Sequence, residues 1–282
     1  MKNKWLAAPY VVWMAIFVVA PLILVVVFAF TGQDGGVTLD NFSNMGTYVP
    51  AFRNSFILAF VATAICILIG YPLAYFLSRE KLMVRKVAMM LIMLPMWMNF
   101  LLRTYAWMSI LDDNGLINQF LSAIGFFDLW NAIFGTNLTY FHMINTQGAI
   151  VLGMVYNFLP FMVLPIFSVI DKIDPKVVEA AQDLGASSSM VFRKIIFPLS
   201  LPGVLSGVTM VFIPSVSTFA LSRLLGGGKT LLLGDLIEMQ FLGNAYNPHL
   251  GSAIALVMMV IVLILMAIMN RFGEGEEGVA VL

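Results

Sequence analysis

Residues 171–201 read DKIDPKVVEAAQDLGASSSMVFRKIIFPLSL, a charged stretch between two long apolar ones. Asp174 is a good helix N-cap and Pro175 a good first helical residue, because proline lacks the N–H that a first turn leaves unpaired. The spacing predicts a helix from Pro175 to Leu184. Gly185 ends it, since glycine enters the left-handed conformation at little cost. Ser187 or Ser188 can cap a second helix, expected to stop before Pro198, with Arg193 and Lys194 near its C-terminal end. The stretch therefore predicts a helix–turn–helix hairpin lying on a membrane face.

The rest of the chain supplies the membrane. Of 282 residues, 61% are hydrophobic and 11% charged, against roughly 25% charged in soluble domains. This composition predicts an all-α polytopic membrane protein. About twenty apolar residues are needed to cross the hydrocarbon core. Six candidate spans follow, at roughly 6–30, 54–78, 87–110, 147–170, 202–221 and 251–270. The first is too long for the roughly 7–15-residue apolar region of a secretory signal, and no A-x-A site follows it. It is expected to remain in the protein. The single cysteine, Cys66, cannot form an internal disulfide. The formal net charge of zero gives no pointer to a nucleic-acid partner.

Lys and Arg set the orientation. With the N-terminus inside, the inner segments hold Lys2, Lys4, Arg79, Lys81, Arg85, Lys86, Lys172, Lys176, Arg193, Lys194 and Arg271, eleven of the fifteen basic residues. The segment 111–146 holds none. Both termini and the 171–201 loop are expected on the cytoplasmic side. The semi-apolar segment 115–135 could be an interfacial or re-entrant element on the outer side. Residues 231–242 are too short and too polar to span and could lie as an amphipathic element.

The order Glu179-Ala180-Ala181, then Gly185, then Ile195 and Pro198 resembles the cytoplasmic docking loop of ABC-importer permeases, E-A-A, three residues, G, nine residues, I-x-L-P. Phe197 stands where that pattern has Leu. The tripeptide Glu-Ala-Ala alone is common; the glycine, isoleucine and proline at fixed offsets make the resemblance specific. It implies a type I permease fold with six transmembrane helices and a cytoplasmic coupling hairpin. On this reading residues 1–282 form a single membrane domain, with a permease core at about 52–270 and the coupling loop at 171–201. Glu179, Ala180, Ala181, Gly185, Ile195 and Pro198 are the implied contacts to a separate ATPase.

The third span carries a second pattern. Residues 94–107 read LPMWMNFLLRTYAW. An Arg within a span costs on the order of 3 kcal/mol at the helix centre. Asn99, Arg103 and Trp107 stand four apart, which places them on one helical stripe, and Pro95 should bend the helix. Pro95, Trp97, Asn99, Arg103 and Tyr105 match the P-x-W-x-N-x-x-x-R-x-Y run of spermidine/putrescine permeases. Gly115-Leu116-Ile117-Asn118 and the stretch from Gly227 to Ile237 are similar to that family too, closest to the first of its two permease types. The resemblance implies a second homologous permease, two copies of an ABC ATPase that bind the ATP and Mg, an extracytoplasmic solute-binding protein, surrounding lipid, no nucleic acid and residence in a bacterial inner membrane. No cofactor or metal is expected in this chain, and transport rather than catalysis is its work.

Polyamines are flexible polycations, so a path for them would offer carboxylates and aromatic faces. The candidates are Trp97, Asn99, Arg103, Tyr105, Trp107, Asp112, Asp113, Asp235 and Glu238. Each aromatic equally fits an interfacial belt or core packing, and Asp112 and Asp113 equally fit a solvated loop. Asp235 and Glu238 share a face if their segment is helical. Arg103 would repel a polycation, so it is expected to pair with Asp235 or Glu238. His142 and His249 lie far apart in outer loops, without the further ligands a metal site needs. The run Gly226–Thr230 lacks the first glycine of a nucleotide-binding P-loop, because position 223 is Arg. Importers of the same type for opines, aminophosphonates or thiamine remain alternatives. A secondary transporter is a more distant one, for which no internal repeat is found.

Overall fold

The computed structural model describes residues 8–32, 34–243 and 246–274. The regular secondary structure of the described residues is helical, with one isolated β-bridge between Thr31 and Val37. Five helices are long and apolar enough to cross a membrane, and a bent pair makes a sixth crossing if the two halves form one span. They are α1 (Pro9–Ala29), α2 (Val49–Arg79), the pair α3 (Leu82–Trp97) and α4 (Phe100–Leu111), α7 (Gln147–Ile170), α9 (Ser188–Val216) and α11 (Pro248–Glu274). Between them lie the short helices α5 (Leu116–Ala123), α6 (Phe126–Phe134), α8 (Pro175–Asp183) and α10 (Leu233–Leu242).

Helices α2, α7 and α9 pack on one another and form the centre. Lipid offers no hydrophobic drive between helices, so close packing of small residues must supply it. Met162 of α7 sits between Gly70 of α2 and Gly207 of α9. A Cβ at Gly70 would lie 3.0 Å from the Met162 side chain, and one at Gly207 2.7 Å from its sulfur. Tyr71 and Ser200 add a buried hydroxyl pair at 2.8 Å between α2 and α9. At the end of α2 away from the 171–201 segment, the Ser55 hydroxyl accepts the Leu233 N–H at 2.8 Å and ties α10 to α2. Helix α1 has no buried window and packs against α11 at the periphery.

Two spans differ from the sequence expectation. The third is not one helix over 87–110. Met98 and Asn99 are extended, and the axes of Leu82–Trp97 and Phe100–Ala123 diverge by 95°. Pro95 does not itself mark the bend; the break falls three residues later, where the Asn99 side chain caps the new helix. The fifth span is not confined to 202–221 and the hairpin's second helix does not stop before Pro198. A π-turn at Phe192–Ile196 carries the chain from Ser188 into the proline-bearing segment without a break. Its i→i+5 bonding absorbs Pro198, which has no N–H to give. The 115–135 segment folds as the two short helices α5 and α6, separated by Gly125.

Gly207→Val should lower the thermal stability of the purified chain by about 1–3 kcal/mol through overpacking against Met162. Adding Met162→Ala should recover part of that loss, measured as a double-mutant cycle on thermal unfolding. Strict additivity would rule out the wedge.

Candidate functional site: the 171–201 hairpin and the broken third span

The hairpin forms from local signals. The Asp174 carboxylate accepts the Lys176 N–H at 3.0 Å and caps α8, with Pro175 in its first turn. At the other end, Gly185 adopts φ +84°, its N–H donates to Gln182 O at 2.8 Å, and the Ala186 N–H donates to Ala181 O at 3.0 Å. These two bonds make a Schellman cap. Ser187 then accepts the Met190 N–H and opens α9. Glu179, Ala180 and Gly185 are exposed. Ala181 is half-buried and packs with Ala186, Val178 and Ile195 on the inner core cluster around Ile170, Val191 and Ile196. Its small size thus serves this chain's own packing. Pro198 is half-buried at the start of the membrane part of α9.

One hairpin residue was not singled out in the sequence. Leu184 is 90% exposed at the tip, and Val177 and Met190 of the same hairpin are exposed too. A lone exposed leucine is ordinary, so what marks this one is its place directly before the turn glycine together with two further exposed apolar residues on the hairpin. Behind the hairpin a cleft of about 400 Å³ is lined by Ser78, Arg79, Glu179 and Gln182.

The broken span gathers part of the second candidate set. Asn99 does not join the Arg103 stripe. Its Oδ1 accepts the Leu101 and Leu102 N–H groups at 2.8 and 3.4 Å, so it is spent on capping α4. Arg103 and Trp107 do share a face, and it points inward. The Arg103 guanidinium lies 6.0 Å from the Tyr156 ring of α7, and Trp107 meets the same ring edge-on at 5.4 Å. Trp97 is 77% exposed and Tyr105 is exposed on the opposite side of the break. Asp112 accepts the Asn114 N–H at 3.0 Å in a turn. Asp113 faces His142 at 2.8 Å and lines a cleft of about 600 Å³ with Asn114, Gln119 and Tyr140.

The expected ion pair between Arg103 and Asp235 or Glu238 does not form. Arg103 is 9% exposed, and its Nε and Nη1 have no hydrogen-bond partner among the described residues. The carboxylates belong instead to Arg223, whose Nη2 is 2.6 Å from Glu238 and 4.0 Å from Asp235. Asp235 is 5% exposed and also accepts the Ser222 hydroxyl and the Ala220 N–H. Ala220 has φ +65°, a conformation costly for a residue with a Cβ, and the Asp235 bond helps to hold it. Asp235 and Glu238 do share one face of α10, but that face closes the turn at Ala220 to Arg223. Among the described residues no group of three or more His, Cys, Asp and Glu is placed to hold a metal ion.

Residues 66–274 match the family described as binding-protein-dependent transport system inner membrane component. The chain belongs to that family. It is 34% identical to the spermidine/putrescine transport system permease protein PotB of Haemophilus influenzae, over 92% of this chain and 90% of the relative. To PotB of Escherichia coli K12 it is also 34% identical, over 88% and 90%. Among solved structures, a bacterial ABC transporter involved in import of the acidic polysaccharide alginate gives a TM-score of 0.80 at 17% identity, covering 98% of this chain and 97% of that one. The MetNI methionine transporter in an inward-facing form gives 0.57 at 17% identity, covering 82% and 96%. At such identities these two speak for the permease fold alone. The chain is accordingly a multi-pass permease of the inner membrane.

Arg103→Met should raise stability in detergent by about 1–4 kcal/mol, because an apolar side chain of similar length removes a buried and incompletely bonded charge. A thermal melt of the purified chain checks this. A lower midpoint for the Met variant would mean that Arg103 is fully compensated. Combining Arg103→Asp with Asp235→Arg should recover nothing.

Proposed function

We propose that this chain is one of two permease subunits of an ATP-driven, binding-protein-dependent importer of polyamines. The observation that carries the substrate class is the 34% identity to spermidine/putrescine permeases along nine-tenths of both chains. The third-span run from Pro95 to Tyr105 and the Gly185 docking pattern are in accord with it. In this reading the second permease completes the path, and an extracytoplasmic binding protein delivers solute to the outer helices α5 and α6. Two copies of an ATPase dock from the cytoplasm, one on each hairpin, and bind the ATP and Mg. Both termini lie on the cytoplasmic side, supported by the eleven-to-four distribution of Lys and Arg.

The hairpin is suited to coupling. Leu184 offers an apolar anchor, Glu179 a charge, and the Schellman cap holds the tip rigid. When the ATPase dimer closes, a rigid hairpin packed on Ile170 and Ile196 must carry the movement to α7 and α9. Of the path candidates, Trp97 and Tyr105 are the exposed aromatic faces available to a cationic solute. Asp112 and Asp113 are the carboxylates near the outer entrance. Asp235 and Glu238 act in this reading through the Arg223 tie, as part of an outer gate. A second reading is the same machine for another small solute; the buried Arg103 cation favours it, since a polycation gains nothing from that charge.

Uptake of labelled spermidine and putrescine into cells carrying the complete transporter is the deciding experiment. The wild type should accumulate polyamine, and Glu179→Ala should reduce uptake at least tenfold with the complex still assembled. No uptake by the wild type would sink the polyamine substrate and leave the permease assignment standing. Leu184→Asp should weaken co-purification of the ATPase at least tenfold, about 1.4 kcal/mol, without lowering the melting temperature of the chain. Unchanged co-purification would remove Leu184 from the contact.

A further inference from the structure

A push on the hairpin has to reach the broken third span if it is to alter the path. Helices α8 and α3 are far apart in sequence, and the covalent route between them runs through the whole of α7 and the outer loops. A shorter route exists at the inner face. Helix α2 ends at Arg79, Glu80 is extended, and α3 begins at Leu82. Arg85 therefore stands in the first turn of α3, directly beside that corner.

All three guanidinium nitrogens of Arg85 are engaged, each with a different partner. Nε donates to the Glu80 carbonyl at 2.9 Å and Nη2 to the Ser78 carbonyl at 2.6 Å. Nη1 forms an ion pair with the Asp171 carboxylate. The Ser78 and Glu80 carbonyls stand at the C-terminal end of α2, where orphan acceptors and a negative dipole end attract a cation. Asp171 is the residue on which α7 ends, three positions before Asp174, the cap of α8. One planar group thus joins the end of α2, the start of α3 and the root of the docking hairpin.

The energy of the ion pair is not what matters. Both side chains are partly exposed, at 27% and 38%, and such a pair is worth only about 0–1 kcal/mol. What matters is direction. Two bonds hold the guanidinium plane to the Ser78 and Glu80 carbonyls of the corner, and that fixed plane aims the third nitrogen at Asp171 of the hairpin root. A lysine at the same place could satisfy one or two acceptors as a point charge, without fixing an orientation. No other described ion pair lies at this inner face: the remaining ones join Asp113 to His142 and Arg223 to Asp235 and Glu238.

We infer that Arg85 is a positioning residue for energy coupling: it makes the α2–α3 corner and the root of the docking hairpin one mechanical unit. Displacement of the hairpin is then delivered along α3 to its end at Trp97 and to the bend at Met98 and Asn99. The inference rests on the importer reading given above for its function, but its geometric content can be tested separately.

The test places nitroxide labels on cysteines introduced by Leu82→Cys in α3 and Val177→Cys in α8, both exposed positions; the native Cys66 is buried. The label-to-label distance is measured by pulsed electron paramagnetic resonance in the complete membrane-embedded transporter, with and without a non-hydrolysable ATP analogue. The expected result is one narrow distribution, unchanged by nucleotide. Arg85→Gln, Arg85→Lys and Asp171→Asn should each widen it at least twofold. The same three variants should lower spermidine imported per ATP hydrolysed at least threefold, with assembly and basal ATP hydrolysis retained. A wild-type distance that shifts with nucleotide overturns the inference, as does an Arg85→Lys or Asp171→Asn variant as narrow as the wild type. If the wild type imports no spermidine, or no ATPase co-purifies, the functional reading fails at that point, and the label width still decides whether Arg85 joins the two elements.

Discussion

The contact of Met162 with Gly70 on one side and Gly207 on the other is the constraint on which the remaining arrangement hangs. Two glycines without side chains let α2 and α9 approach α7 closely enough for one thioether to fill the space between three helices. In lipid this close packing takes the place of the hydrophobic drive that assembles a soluble core. Because α2, α7 and α9 are fixed there, their inner ends come together where the hairpin is rooted. At the opposite end Leu221, Leu225 and Leu232 pack on Leu58 of α2 and on Ile150 and Met154 of α7. The peripheral helices α1 and α3 share little of this core, and α3 has no buried residue.

That uneven packing divides the chain into a stiff centre and elements held by a few polar contacts. The stiff centre includes the hairpin, since Val178, Ala181 and Ile195 pack on the inner core cluster. The third span is held differently. Its inner half is anchored by Arg85, its bend by the Asn99 cap, and its outer half by Arg103 and Trp107 against Tyr156. The Asn99 cap and the Arg103 contact can be exchanged at modest cost, whereas the Met162 wedge cannot move without opening a void. A protein that must change shape while remaining assembled gains from this separation.

The outer face follows the same economy. Arg223 holds Glu238 and stands near Asp235, and Asp235 also fixes the turn at Ala220. A carboxylate expected to meet solute is thereby occupied in keeping a strained turn closed. The buried Arg103 has no carboxylate partner among the described residues, and its guanidinium lies over the Tyr156 ring face.

Local chemistry made much of this legible in the sequence. The Asp174 cap, Pro175, Gly185 and Ser187 each act within one turn of the backbone, so the hairpin's two helices and the turn between them are legible directly. Apolar run length is likewise local, and 147–170 was read as the helix that forms. The Leu184 tip was missed because exposure of a leucine is a property of the folded surface. Other features needed the tertiary structure. Whether Pro95 or Asn99 breaks the third span depends on which backbone groups find partners after packing. Whether Pro198 ends a helix depends on a π-turn that neighbouring helices support. Which cation takes Asp235 depends on the turn at Ala220, which brings Arg223 close and leaves Arg103 on another face. Sequence determined the elements and their caps, because those rest on contacts three or four residues apart. Only the fold decided which charges meet and where a span bends, because those rest on groups that come together through space after the helices have packed.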